Sequence, residues 1–573
     1  MLALLGAVAV LAAPPETLTY TLAPNPETGG IRVELAWETR GRTVSVLGVS
    51  ARWGNIDNVS ALLGDVQIDG CHGVQQQQSR WILRHGPRTT IRCAYDFDPG
   101  RKSFQWDGTH YPITTRTFFH GIGNAFLMVP EPGGDAPREF QVVLRWKLPN
   151  PAWRAVASWG VGKALGDKLD AGDLRHSVYL AGELAIQSAE RDGRRVTVAL
   201  PDKFGFTPAE FLKMAGTIVG QQCDYLNERN FPAFIVTAIP VGDPLKEGDS
   251  RIAGSGLYHS FALWIPPRAK LNDAVEHLFA HELFHYWNGR LLPAAQPEGL
   301  VYWFVEGFTD YYALRILHES GQWSSEQYAK WINRHIREYV ANPAIHATNE
   351  EIRDEYWRQR STVGEVAYQR GLMLGLRWDR LARQQGVRNG LDRLFFALLD
   401  RARAGGFELS NDAIRRVGVE QLGAWFAGEF DQFVVQARTV SVPVDALAPK
   451  LIGSDARVYD YDPGFDRERS LQQQKIIGLK RGSAAERAGL REGDEMLGYS
   501  LLADPEKQSE LKVMRKGELR TIRYFPRGPA VEALQFKPAE SATRGDDLPA
   551  DGIRPKPDAR RSTPTGSAGG RRP

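Results

Sequence analysis

His281-Glu282-Leu283-Phe284-His285 sets two imidazoles four residues apart with a carboxylate between them. In a helix of 3.6 residues per turn the two histidines stand one above the other on one face and can reach a single metal ion. Glu282 is rotated about 100° from His281, outside the coordination direction but near enough to touch a water beside the ion. With 12 histidines in 573 residues, chance produces this pattern roughly 0.02 times in a chain of this composition. A catalytic zinc takes three protein ligands and keeps one position open. The next helical stretch, Trp303-Phe-Val-Glu-Gly-Phe-Thr-Asp-Tyr-Tyr312, offers Glu306 as the third ligand, with Gly307 permitting close approach of a neighbour. Asp310 lies one turn beyond Glu306 on the same face, placed to accept the ring N–H of His281 and fix its tautomer. Its plainer reading is a solvated face charge. His277, one turn before His281, is read as packing or as a neighbour of the ligands, because two histidines and a carboxylate already complete a site.

The elements that must hold these residues are legible around them. A helical pattern begins near Asp273, with Asp273 as N-cap and Glu276 three residues on as a capping box, Pro266-Pro267 as a breaker upstream, and Val275, Leu278 and Phe279 as the apolar face. Strands are expected near Ala233–Ile239 and Ser260–Ile265, and helices from there to about Gln436. From about Thr17 to Pro201 the chain reads as short alternating runs, such as Leu18–Leu22, Ile31–Trp37, Thr43–Val49 and Phe140–Trp146, divided by turn residues. The expected fold class is therefore α+β and multidomain. A β domain over 16–203 precedes a mainly helical catalytic domain with a small sheet over 204–450. A third domain over 460–528 contains Gly482-Ser-Ala-Ala-Glu-Arg-Ala-Gly-Leu-Arg-Glu-Gly-Asp494 between β-like runs at Lys475–Leu479 and Leu519–Tyr524, and resembles a PDZ domain. A tail over 529–573, rich in Pro, Gly, Ser, Asp and Arg, has too few large apolar residues to offset its ordering entropy and is expected to be disordered.

Composition narrows the classes further. A length of 573 residues exceeds what one core supports, and 42% hydrophobic with 24% charged residues is ordinary globular usage. Net charge +3, from 71 basic and 68 acidic residues, gives no field to attract nucleic acid. Residues 1–15 read as a secretory leader that lacks the basic start, too short for a membrane span of about 20 apolar residues. Nothing later in the sequence supplies such a span, so a periplasmic or secreted location is expected. Of three cysteines, Cys71 and Cys93 are candidates for one disulfide and Cys223 for a buried thiol.

His281-Glu-Leu-Phe-His-Tyr-Trp-Asn288 followed by Trp303-Phe-Val-Glu-Gly-Phe-Thr309 resembles the glycyl aminopeptidase family of gluzincin zinc metallopeptidases, and the likeness extends over about Thr17 to Pro526. The resemblance implies an N-terminal β domain, a thermolysin-like catalytic domain and a C-terminal PDZ domain, one Zn2+ per chain, and a peptide or protein substrate. It implies a catalytic tyrosine in a Tyr-x-(Lys or Arg)-Gly motif, matched by Tyr368-Gln-Arg-Gly371, whose phenol donates to the oxyanion. The family typically carries Gly-Gly-Leu-Glu-His before the metal helix, its glutamate holding the substrate's α-amino group. Here Ser255-Gly256-Leu257-Tyr258-His259 puts Tyr258 in that place, where only a cation–π contact is available. Gly256, Leu257 and Tyr258 are thus the candidate substrate-binding residues. The expected reaction is amide hydrolysis: zinc acidifies a water, and Glu282 takes its proton and passes it to the leaving amine. An aminopeptidase is the leading expectation. An endopeptidase freed by Tyr258, a PDZ-bearing scaffold without turnover, and remotely a zinc epoxide hydrolase are the alternatives. The PDZ-like segment is expected to take a peptide strand or C-terminus.

Overall fold

The computed structural model describes residues 15–98, 109–131, 139–242, 251–501 and 504–539. Most of the expected leader and the tail from residue 540 lie outside them. The chain is mixed α/β and multidomain, with N-terminal β-sheets followed by a helical module. In the N-terminal part, Thr17–Asn25, Gly30–Arg40, Arg88–Phe97 and Glu139–Trp146 belong to a six-stranded sheet. Strict alternation along them turns Leu18, Tyr20, Leu22, Val33, Leu35 and Trp37 into one core while the intervening residues face outward. Cys71 and Cys93 stand free. Cys93 is buried with its Sγ 3.5 Å from Met128 Sδ, so the expected disulfide is absent. Cys223 is buried in the catalytic core, as its bland reading requires.

The sheet of the catalytic module starts earlier than residue 204. Strands β1 (Ala185–Arg191), β2 (Arg194–Leu200), β3 (Phe234–Pro240), β4 (Ala253–Leu257) and β5 (Ser260–Ile265) form one sheet in the order β1-β2-β3-β5-β4. The pairs β2–β3 and β3–β5 are parallel, which is why β3 and β5 are apolar on both faces. The register that pairs Arg194–Leu200 with the catalytic strands, rather than with the N-terminal sheets, moves the boundary back to about residue 184. Helix α1 (Pro208–Tyr225), opened by a Thr207/Glu210 capping box and a proline in its first turn, crosses from β2 to β3 and buries Phe211, Met214, Ile218 and Val219. Strand β4 is an edge strand, joined to β5 by a two-residue turn at Tyr258-His259.

Helix α2 (Asp273–Phe284) carries the histidines. Its cap is Asn272, whose side chain accepts from Ala274 N and Val275 N, each at 3.1 Å, one residue before the expected Asp273. Glu276 makes no capping box and instead accepts from Trp323 Nε1 and Gln322 Nε2. The chain then runs through Tyr302–Val305 and Glu306 into α3 (Gly307–Glu319), α4 (Ser325–Ala341) and α5 (Glu365–Gln384). Contact between α3 and α5 is glycine on glycine: a Cβ on Gly371 would lie 1.8 Å from Trp303 O and 2.7 Å from Gly307 Cα. Trp303, Trp287, Trp323 and Trp378 fill the surrounding core.

At the C-terminal end, β6 (Leu451–Tyr461) and β7 (Arg527–Pro538) form an antiparallel ribbon lying along α4. The expected disorder from residue 529 is therefore corrected for 529–538. Ala533, Leu534 and Phe536 join the catalytic core, and Asn333 of α4 acts as a surrogate strand partner, donating to Phe536 O at 2.8 Å and accepting from Phe536 N at 2.7 Å. The small module enclosed by the ribbon has a three-stranded sheet of Glu495–Ser500, Ser509–Arg515 and Glu518–Tyr524. Lys475–Leu479, expected as a strand, makes only an isolated bridge at Lys475, and Arg467–Gln473 before it is helical.

The helix contact yields a direct test. Gly371→Ala is expected to cost about 1–3 kcal/mol in urea unfolding through overpacking. Gly216→Ala in α1, where a Cβ meets nothing within 4 Å, should be neutral or stabilising by up to ~1 kcal/mol because alanine favours helix. Equal effects of the two would refute the close-approach argument.

Candidate metal centre

His281 and His285 project from the last turn of α2 toward Glu306, which sits where the Tyr302–Val305 turn passes into α3. His281 Nε2 and His285 Nε2 are 3.1 Å apart, and Glu306 Oε2 lies 3.3 Å from the first and 3.5 Å from the second. An ion with four tetrahedral bonds of about 2.0–2.2 Å has its ligands about 3.3 Å apart, so the triangle fits zinc. Both imidazoles have their far nitrogen engaged, His281 Nδ1 with Asp310 Oδ1 at 2.8 Å and His285 Nδ1 with the Asn288 carbonyl at 3.1 Å. Each Nδ1–H is thereby donated, which leaves each Nε2 lone pair facing the common point. The two histidines, Glu306 and Asp310 are thus brought together as the spacing requires.

The charges agree with that assignment. Burial disfavours ionisation of Glu306, yet the two adjacent imidazoles hold its carboxyl far below the usual range. Asp310 is likewise buried and is held well below its ordinary value by His281 and His277. Against burial, Asp310 and Glu306 raise His281 well above the ordinary imidazole value, and Glu306 raises His285. A dication supplies the positive charge that the two anionic carboxylates otherwise draw from protons on the rings.

The chain ends the metal helix deliberately. Past His285 the backbone leaves helical geometry at Asn288 (φ −100°, ψ 76°) and Gly289 (φ 149°). Asn288 is fully buried, and its amide donates to Phe304 O, Val305 O and Thr309 Oγ1 at 3.1–3.2 Å. One residue thus orients His285 through its carbonyl and fixes the turn bearing Glu306 through its side chain. Its place in His-Tyr-Trp-Asn was the available signal.

Glu282, about 100° around α2 from His281, accepts at its Oε2 from Gly256 N of the edge strand at 2.6 Å. Gly256 has no room for a side chain there, since a Cβ would sit 2.5 Å from Glu282 O. Leu257 is the last β4 residue and packs toward the apolar layer between the β domain and the catalytic sheet. Tyr258 departs from expectation. It turns into the N-terminal core, donates its N–H to His176 O at 2.7 Å, and stacks on His259. The cation over its ring, 4.4 Å away, is Arg290 of the same chain, which also pairs with Asp173. Its ring is committed inside the protein and is not offered to a substrate amine.

Tyr368, on the first turn of α5, stacks 5.8 Å from the His281 ring. Burial and then the Glu306 carboxylate push its phenol well above the ordinary value, so it stays protonated and able to donate. Two residues that sequence reasoning missed attend it. Tyr356 Oη is 2.8 Å from Tyr368 Oη, and the Arg360 guanidinium lies 4.9 and 4.8 Å from the two rings while pairing with Glu365. No local pattern marks either, because both reach the site across a turn that departs from regular α-helix. The Arg370 of Tyr-Gln-Arg-Gly serves the scaffold: it is fully buried and donates to Ile345 O and Ala347 O.

Residues 274–369 match the family model described as M61 glycyl aminopeptidase, a span that contains all the metal ligands, Glu282 and Tyr368. Among solved structures, the chain is similar to an aminopeptidase N family protein from Idiomarina loihiensis at 16% identity, covering 91% of this chain and 98% of that one with a TM-score of 0.65. It also matches an M1 zinc metallopeptidase variant bound to Tyr-Ser-Ala from Deinococcus radiodurans, at 16% identity over 75% of this chain and 94% of that one, TM-score 0.46. Comparison with curated proteins finds no match.

Because Asp310 fixes His281, Asp310→Asn is expected to lower zinc affinity about 10- to 100-fold, read by competition with a chromophoric chelator. Unchanged affinity would show that the hydrogen bond is incidental.

Proposed function

We propose that the chain is a zinc metallopeptidase acting as an aminopeptidase, removing residues from the N-terminus of an extended peptide. The observation that carries this reading is the edge strand β4 beside Glu282. Residue by residue along a strand, N–H and C=O point to the same side. Gly256, whose N–H faces Glu282, therefore presents its carbonyl to the cleft as well. A peptide adding antiparallel to β4 runs with its N-terminal end toward Leu257 and Tyr258. There the path stops, because Tyr258 is hydrogen-bonded to His176 and packed into the N-terminal domain one residue past β4. Little chain fits between Glu282 and that wall, which favours cleavage close to the substrate's N-terminus.

Zinc, when bound by His281, His285 and Glu306, polarises the scissile carbonyl and acidifies a water. Glu282 accepts the water's proton and returns it to the leaving amine, its carboxylate held in place by Gly256 N–H. Tyr368 donates its phenolic hydrogen to the developing oxyanion, with Tyr356 fixing the hydroxyl and Arg360 covering both rings. A second reading, an endopeptidase, is favoured by one observation: the position of the family's amine-binding glutamate is Tyr258, whose ring is occupied by Arg290. For the C-terminal module, the outer edges of Glu495–Ser500 and Glu518–Tyr524 are where a peptide ligand of the PDZ kind would add. Export to the periplasm or medium is proposed from the apolar leader.

Metal-dependent hydrolysis of peptides with free and with acetylated N-termini separates the readings. Cleavage confined to free N-termini is expected, abolished in Glu282→Gln. Tyr368→Phe should lower kcat about 10²- to 10³-fold with little change in KM. Equal cleavage of acetylated peptides would replace the aminopeptidase with an endopeptidase, and no metal-dependent cleavage of either set would leave a scaffold.

A further inference from the structure

The ligand pattern is repeated one helical turn along. His281 and His285 on α2 face Glu306, and one turn earlier on α2 and one turn later on α3, His277 and His281 face Asp310. His277 Nε2 lies 3.0 Å from Asp310 Oδ1, the oxygen that also takes His281 Nδ1 at 2.8 Å. A third donor comes from α4: His335, whose Nε2 is buried and has no hydrogen-bond partner among the described residues. One ligand atom from each of His277, Asp310 and His335 falls within 4.8 Å of the others. Trp331, one turn before His335 on α4, covers the group, its ring 4.4 Å from His277 and 6.2 Å from His335.

A hydrogen-bond network alone accounts poorly for this arrangement. It leaves the His335 nitrogen buried and without a partner among the described residues, which native structures seldom tolerate. It also asks one carboxylate oxygen to serve two imidazoles. We propose that His277, His335 and Asp310 form a second cation site for a first-row transition metal, about one helical turn from the catalytic ligands and coupled to them through Asp310. Two imidazoles and one carboxylate suit zinc, cobalt, nickel or copper, and not calcium or magnesium, which take oxygen shells. Sharing Asp310 with His281 makes this site the weaker of the two, so its occupancy follows the ambient metal concentration while the first site stays filled. The inference does not depend on which peptide bond the enzyme cuts.

The test counts metal. The full chain, stripped with a chelator, is dialysed to equilibrium against buffered Zn2+, and bound zinc is measured by mass spectrometry. The parent protein should bind two ions per chain with separable affinities. His335→Ala should bind one, with His335→Leu as a second variant and circular dichroism to confirm folding. Glu306→Ala should lose the tight ion and keep the weak one, and the exposed His72→Ala should still bind two. One ion in the parent protein, or equal counts in the parent and in both His335 variants, would overturn the proposal. Failure of the catalytic site is read separately, as a Glu306→Ala count identical to that of the parent.

Discussion

Three electron-rich atoms held 3.1–3.5 Å apart inside a protein repel one another unless something positive lies between them. Neither imidazole can relieve the contact by turning, because Asp310 and the Asn288 carbonyl hold their far nitrogens. Glu306 cannot withdraw, because its turn is tied by Asn288 and its helix is locked to α5 through Gly307 and Gly371. The scaffold thus stores the geometry of the ion in advance, and much of the catalytic module exists to prevent the collapse that the ligands alone would undergo.

Much of this was legible in the residues. The HExxH spacing fixes two ligands and the base by helical periodicity alone, and Glu306 with Asp310 follows from the same four-residue step on the next helix. What sequence could not reach were contacts between segments far apart in the chain. Tyr356 and Arg360 meet Tyr368 only because irregular backbone between two helices folds them over it. His335 lies 54 residues after His281 on a helix whose periodicity reads as ordinary amphipathic packing. The C-terminal strand was missed for a related reason. Its composition resembles a solvated tail, and it is ordered by pairing with Leu451–Tyr461 and by the side chain of Asn333, neither of which is local.

The motifs also divide their labour in a way that residue identity hides. In Tyr-Gln-Arg-Gly, only the tyrosine faces the site, the arginine holds a distant loop, and the glycine removes the Cβ that would push α5 away from Glu306. In the turn after β4, Tyr258 serves the scaffold. Its aromatic ring meets the chain's own Arg290. The same residue anchors the turn to the N-terminal domain at the end of the edge strand.

Helix α4 carries the consequence furthest from the metal. Residues 331 and 335 are one turn apart and face α2 and α3, while Asn333, about 200° around from each, faces the ribbon. One helix is therefore gripped on opposite sides by the group that surrounds Asp310 and by the strand that leads out of the C-terminal module. Strand β7 is hydrogen-bonded to α4 through both polar atoms of the Asn333 side-chain amide. Because packed helices behave as rigid units rather than deform smoothly, the ribbon contact at Asn333 and the ring contacts of Trp331 and His335 fix the placement of α4 together.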